Sequence, residues 1–179
     1  MSFRKIKLIV SAILSLTCQF TFAQSTIFNI QTGAIGTYAN IDYSLTQKIL
    51  IRAELGMDVG WIGGSLNGGT HTVFQPVLSI EPRMYSHYYK GDNENGEFHG
   101  NFIALKTAYR PGSWAISTSN RIFDHSIAFT PTFGIRRPLG KFLHYEFGLG
   151  IGYAYVFDDF GNHEWQGTAN LLLRIGYRF

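Results

Sequence analysis

At 179 residues the chain is sized for one domain and too short for two ordinary ones. Its net charge of +3 comes entirely from Arg4, Lys5 and Lys7. The remainder balances twelve bases against twelve acids, so the basic isoelectric point is no argument for nucleic-acid binding, and no nucleic-acid motif occurs. The single cysteine, Cys18, leaves the rest of the chain without disulfides or thiolate metal sites.

The opening "MSFRKIKLIVSAILSLTCQFTFAQ" sets three cations before an apolar run from Leu8 to Leu16, then small residues up to Ala23. This is the pattern of a secretory signal peptide over 1–23, with 24–179 as the mature domain. The run is shorter than the ~20 residues a spanning helix needs. Ser15, Leu16 and Thr17 before Cys18 are a poor match to a lipidation box.

Everything downstream alternates with period two. Successive strand side chains point to opposite faces, so regular alternation sorts a sequence into two surfaces. Strands are predicted at 26–34, 37–45, 48–61, 73–88, 100–110, 125–136, 143–157 and 164–179. Between them lie Gly, Asn, Asp and Pro-bearing connections such as "GGSLNGGTH", "KGDNENGEFHG", "RRPLGK" and "DDFGNH". Only Ile35 and Gly36 separate the first two strands, so one long strand over 26–45, and seven strands in all, stays open. Eight is favoured because bacterial single-chain barrels have even strand numbers, with both termini on the periplasmic side.

In "KILIRAELGMDVGW", Ile49, Ile51, Ala53, Leu55, Met57, Val59 and Trp61 oppose Arg52, Glu54 and Asp58. "SIAFTPTFGIR" sets Phe129, Phe133 and Ile135 against Thr130, Thr132 and Arg136. "HYEFGLGIGYAYVF" sets Tyr145 through Phe157 against His144, Glu146 and three glycines. In the last strand Leu171, Leu173, Ile175, Tyr177 and Phe179 share one face, and Arg174 faces the other way. A soluble sandwich or lipocalin-like barrel would also alternate, with its apolar face inward. Against it stands the polar face, with Asp42, Arg52, Glu54, Asp58, Glu81, Arg83, Lys106, Arg110, Arg136, Glu146 and Arg174 in nearly balanced numbers, as an enclosed lumen requires. Gly148, Gly150 and Gly152 would make room inside a narrow ring. Aromatic residues mark two levels of the apolar face: Trp61, Tyr109, Tyr155 and Trp165 near the outer ends, and Tyr43, Tyr85, Tyr145, Tyr177 and Phe179 near the inner ends. The expected fold class is an all-β, antiparallel, up-and-down transmembrane β-barrel of about eight strands. Within its lumen Glu146 is the expected partner of Arg174, and Glu54 and Glu81 those of Arg83 and Arg52.

The chain resembles the small outer-membrane β-barrels of Gram-negative bacteria typified by the OmpA transmembrane domain, OmpX and PagP. The ending "LLLRIGYRF" is similar to the terminal insertion signal of that class, here Leu171, Leu173, Ile175, Tyr177 and Phe179. "ILIRAELGMDVG", "LSIEPRMYSHYYK", "NFIALKTAYRP" and "FTPTFGIRRPLGK" resemble a subgroup of short barrels of uncharacterised role. The resemblance implies the cell outer membrane as location, reached through the periplasm. It implies the bilayer, lipopolysaccharide and the barrel assembly machinery as partners.

For activity, the sequence favours a structural or surface-interaction protein with a charge-filled lumen and no cofactor. A porin-like narrow channel is disfavoured because eight strands enclose little more than side chains. The alternative is a lipid-modifying enzyme of deacylase or acyltransferase type. A deacylase needs Ser and His on one face, but His125 with Ser126 and Ser86 with His87 point apart. The same-face pairs at that spacing are Glu97 with His99 and His144 with Glu146. His71, His99, His125 and His163 lack the close ligand spacing of a metal site. No catalytic, cofactor-binding or metal residue is assigned.

Overall fold

The computed structural model describes residues 26–62, 71–86, 98–117, 123–158 and 161–179; the leader assigned to 1–23, together with His87 and Glu97, lies outside them. The described chain is all-β and antiparallel. Its strands are β1 (Thr26–Gly33), β2 (Gly36–Ser44), β3 (Ile49–Ile62), β4 (His71–Tyr85), β5 (Gly100–Arg110), β6 (Ile116–Ser117), β7 (His125–Leu139), β8 (Leu143–Phe157) and β9 (His163–Arg178). Eight of them close hydrogen-bonded into a ring in the order β1, β2, β3, β4, β5, β7, β8, β9 and back to β1. The chain therefore makes two strands of 26–45, turning at Ala34 and Ile35, one residue earlier than expected. β6 was not foreseen. After a 3-10 turn at Gly112–Trp114, Ile116 and Ser117 take over from β5 beside Phe74 and Val73 of β4.

The ring is not a regular barrel. β1 and β2 have only eight and nine residues, whereas β9 has sixteen. β9 is in register with β1 from Arg178 up to Arg174 against Gly33, and the Ala34 amide donates to the Leu173 carbonyl at 3.2 Å. Above that point no described strand covers this edge of β9, and Glu164 and Gln166, on its inward face, are exposed. Prolines interrupt the wall at two places. Pairing of β4 with β5 skips Glu81 and Pro82, and pairing of β7 with β8 skips Thr130 and Pro131, because proline brings no N–H to the ladder.

The apolar parity faces out and the polar parity faces in. Leu55, Ile80, Phe133, Leu149, Ile151 and Leu173 are among many large apolar side chains left exposed, while Arg52, Arg83, Arg136, Glu81 and Glu146 are essentially fully buried. Inward positions of β3 read Leu50, Arg52, Glu54, Gly56 and Asp58 in order, and they cut the interior into layers. At the end where β1 starts and β9 finishes, Leu50, Tyr85, Phe98, Phe102 and Leu172 form one apolar cluster; toward the other end Tyr38, Val77, Ala108, Ala128 and Ala154 form a second. Arg110 and Asp58 pair beside the second cluster, one inward position beyond Ala108 and Val77.

Tyr85 was expected in the inner aromatic girdle and is instead almost fully buried inside the ring. Its parity is that of Glu81 and Arg83, so a strand that turns those charges inward turns Tyr85 inward too. The other girdle residues whose side chains are described keep the outward parity. Tyr155 packs on exposed Trp165 at 5.2 Å between centroids, and Tyr145, Tyr177 and Phe179 are exposed. Trp61 lies in β3 opposite Thr72.

Candidate functional site

The largest concentration of chemically capable side chains is the interior of the ring, built layer on layer from the wall. Glycines there stand opposite aromatic residues in register: Gly56 opposite Tyr38, Gly134 opposite Phe102, and Gly176 opposite His144. In each case the ring lies where a Cβ on the glycine would stand, so the aromatic residue can lie flat against the wall. Guanidinium groups cover two of these rings. Arg174 lies 3.5 Å from the Tyr38 centroid and Arg83 lies 4.4 Å from that of Phe102. A cation over an aromatic face is attracted by the ring quadrupole and is held in one orientation.

Carboxylates complete the stack. Arg52 grips Asp42 with two bonds, Nε to Oδ1 at 2.6 Å and Nη2 to Oδ2 at 2.8 Å, and Arg136 Nη1 donates to the same Oδ2 at 2.6 Å. Glu146 is surrounded by three guanidiniums: Arg52 at 3.0 Å, Arg83 at 3.1 Å and Arg136 at 3.6 Å. Glu81 pairs with Arg83 two residues along its own strand at 3.0 Å. One layer further on, Glu54 takes Arg174 at 2.5 Å and Lys106 at 2.9 Å, and accepts from the Ser79 hydroxyl. Asp58 pairs with Arg110 at 3.0 Å and accepts from the Tyr38 hydroxyl at 2.7 Å.

All eleven charges singled out in the sequence thus face inward, each in at least one ion pair. Their pairings differ from expectation. Glu146 and Arg174 are directly opposite in register, as are Glu81 and Arg52, yet Arg174 pairs with Glu54 across the interior and Glu81 with Arg83. Adjacency on the wall does not decide the partner of a side chain as long as arginine's. Arg174 crosses the ring to reach β3, and three other arginines already surround Glu146.

Buried amides join the network without any charge signal to announce them. Asn29 donates to Asn40 and Asp42, and Gln31 accepts from Arg52 and stands 2.8 Å from His144 Nε2. Their inward parity with Asp42 was the available clue. His144 and Glu146, the same-face pair weighed for catalysis, are therefore engaged by Gln31 and by three arginines respectively. His125 Nδ1 lies 3.1 Å from the Tyr109 hydroxyl. Among the described residues no three His, Cys, Asp or Glu side chains are grouped to hold a metal ion, and no helix is long and apolar enough to cross a membrane.

The remaining site residues, Leu171, Leu173, Ile175, Tyr177 and Phe179, form an exposed outward row at the end of β9. Chemically, the interior arrangement saturates carboxylates with cations and leaves strongly bonded, desolvated pairs. Comparison with protein-family models, with curated proteins and with solved structures finds no match to this chain.

Proposed function

We propose that the chain is an outer-membrane β-barrel with a structural or surface-interaction role, its interior closed by its own salt bridges. The observation that carries this reading is the inversion of polarity: large apolar side chains cover the outside while ion pairs fill the inside. In water such a surface would be an aggregation hazard, because soluble monomers rarely expose contiguous apolar patches above a few hundred Å². In a bilayer it is the required surface, and a ring of strands meets the demand that backbone polar groups be satisfied. The filled interior favours a plugged structure over a channel, with Tyr85, Phe98 and Phe102 packed together at the end where β1 starts and β9 finishes. The bilayer and lipopolysaccharide are then the surroundings, and the assembly machinery would read the outward row ending at Phe179.

The test is expression with the leader in a Gram-negative host, followed by fractionation and gel mobility with and without heating. The full chain is expected in the outer membrane with heat-modifiable mobility, and deletion of Phe179 should lower that fraction while leaving export intact. Folded protein in the soluble periplasmic fraction would overturn the barrel. Unchanged assembly of the truncated chain would overturn the role given to Phe179.

A further inference from the structure

Outside the interior network, the described charges segregate by end. Lys48, Arg137, Lys141 and Arg178 stand at the end where β1 starts and β9 finishes, whereas Asp124, Asp158 and Glu164 stand at the other. At the basic end a cavity of about 310 Å³ is lined by Lys48, Ser86 and Asn101, with Met84, Ile103 and Phe133 on its apolar side. Arg137 reaches its edge by donating from Nη2 to Asn101 Oδ1 at 3.1 Å. Those same three apolar residues also line a second groove, of about 750 Å³, that runs up the outer wall past Leu105, Leu149 and Ile151. The groove follows the stretch of wall where Pro82 and Pro131 interrupt strand pairing.

A mainly apolar cavity with Lys48 in its lining and Arg137 bonded to Asn101 beside it, continuous with a long apolar groove, matches one kind of molecule: an anionic head on a hydrocarbon tail. We infer that this rim binds an anionic phospholipid of the periplasmic leaflet, its phosphodiester between Lys48 and Arg137 and an acyl chain in the groove. The inference rests on the barrel reading, with the termini toward the periplasm. Charge complementarity selects the lipid class. A zwitterionic head would bring its ammonium toward the same cations, whereas phosphatidylglycerol brings only negative charge.

The full chain is reconstituted in phosphatidylcholine bilayers with and without phosphatidylglycerol, and the lipid retained on release is counted by native mass spectrometry. Phosphatidylglycerol should be enriched over phosphatidylcholine, and Lys48→Gln with Arg137→Gln should reduce that enrichment roughly tenfold. Glu164→Gln at the far rim should leave it unchanged, and soluble glycerol phosphate should not compete. Equal retention of the two lipids by the unmodified chain, or enrichment that survives the double substitution, would overturn the inference. Displacement by glycerol phosphate would reduce the site to a phosphate pocket and overturn the whole-lipid assignment. Heat-modifiability in the same samples separates the two readings: a folded chain with no lipid preference sinks this inference alone, whereas failure to fold in every bilayer sinks the barrel with it.

Discussion

Replacing Glu146 with Gln is expected to cost about 3–5 kcal/mol of folding stability, because it strips the shared counter-charge from a buried cluster of guanidiniums. Arg52, Arg83 and Arg136 all converge on this carboxylate, and none has more than a trace of solvent exposure. Glutamine keeps the shape and one acceptor oxygen but not the charge, so mutual repulsion among the arginines is left opposed only by Asp42 and Glu81. A urea titration of the folded chain in detergent or lipid reads the loss, and a change below about 1 kcal/mol would mean that the cluster is not desolvated as described. The Glu54 and Arg174 pair supplies the matching cycle. Glu54→Gln alone should cost more than Glu54→Gln combined with Arg174→Met, since the double substitution removes one of the two buried cations that the loss of Glu54 strands, Arg174, and leaves only Lys106. Additive losses would deny the coupling.

The second large effect lies on the opposite face. Leu173 is 52% exposed on the outward side of β9, flanked by Leu171 and Ile175. If that face meets hydrocarbon, Leu173→Arg should cost about 2–4 kcal/mol near the bilayer midplane. If it met water, the same substitution at an exposed position would stay within about 0.5 kcal/mol. The size of the effect therefore reports the solvent of the wall, and the titration in lipid vesicles decides between the two values. Leu172 is no neutral control for this experiment, because it is fully buried against the cluster of Leu50, Tyr85, Phe98 and Phe102.

Period-two alternation made most of the architecture legible. In β3, Ile51, Ala53 and Leu55 against Arg52 and Glu54 are enough to assign two faces, and pairing to β2 and β4 keeps that parity through the wall. What alternation cannot encode is depth across the ring. The partner of Arg174 depends on how far its side chain reaches and on which carboxylates other arginines already hold, and neither is written in local order. The apolar cluster at the terminal end escaped for a related reason. Leu50, Phe102 and Leu172 stand on the same inward parity as Arg52, Lys106 and Arg174, and parity gives no sign that these three meet across the ring with Tyr85 and Phe98. Tyr85 shows a plain conflict, since its aromatic character argued for the girdle while its neighbours Glu81 and Arg83 had already fixed its face. β6 depends on where a loop leaves the sheet, and the weak punctuation in "SWAIS" marks that poorly.

The central claim is that the outward apolar face touches lipid, and tryptophan quenching by brominated phospholipids tests it most directly. With Trp61, Trp114 and Trp165 replaced by Phe, single tryptophans are introduced at Phe129, Phe147 or Leu173, all outward and exposed. Lipids brominated deep in the acyl chain should quench all three strongly, while aqueous iodide should leave them nearly unaffected. Strong quenching by iodide with none from the brominated lipids would place that face in water and contradict the account.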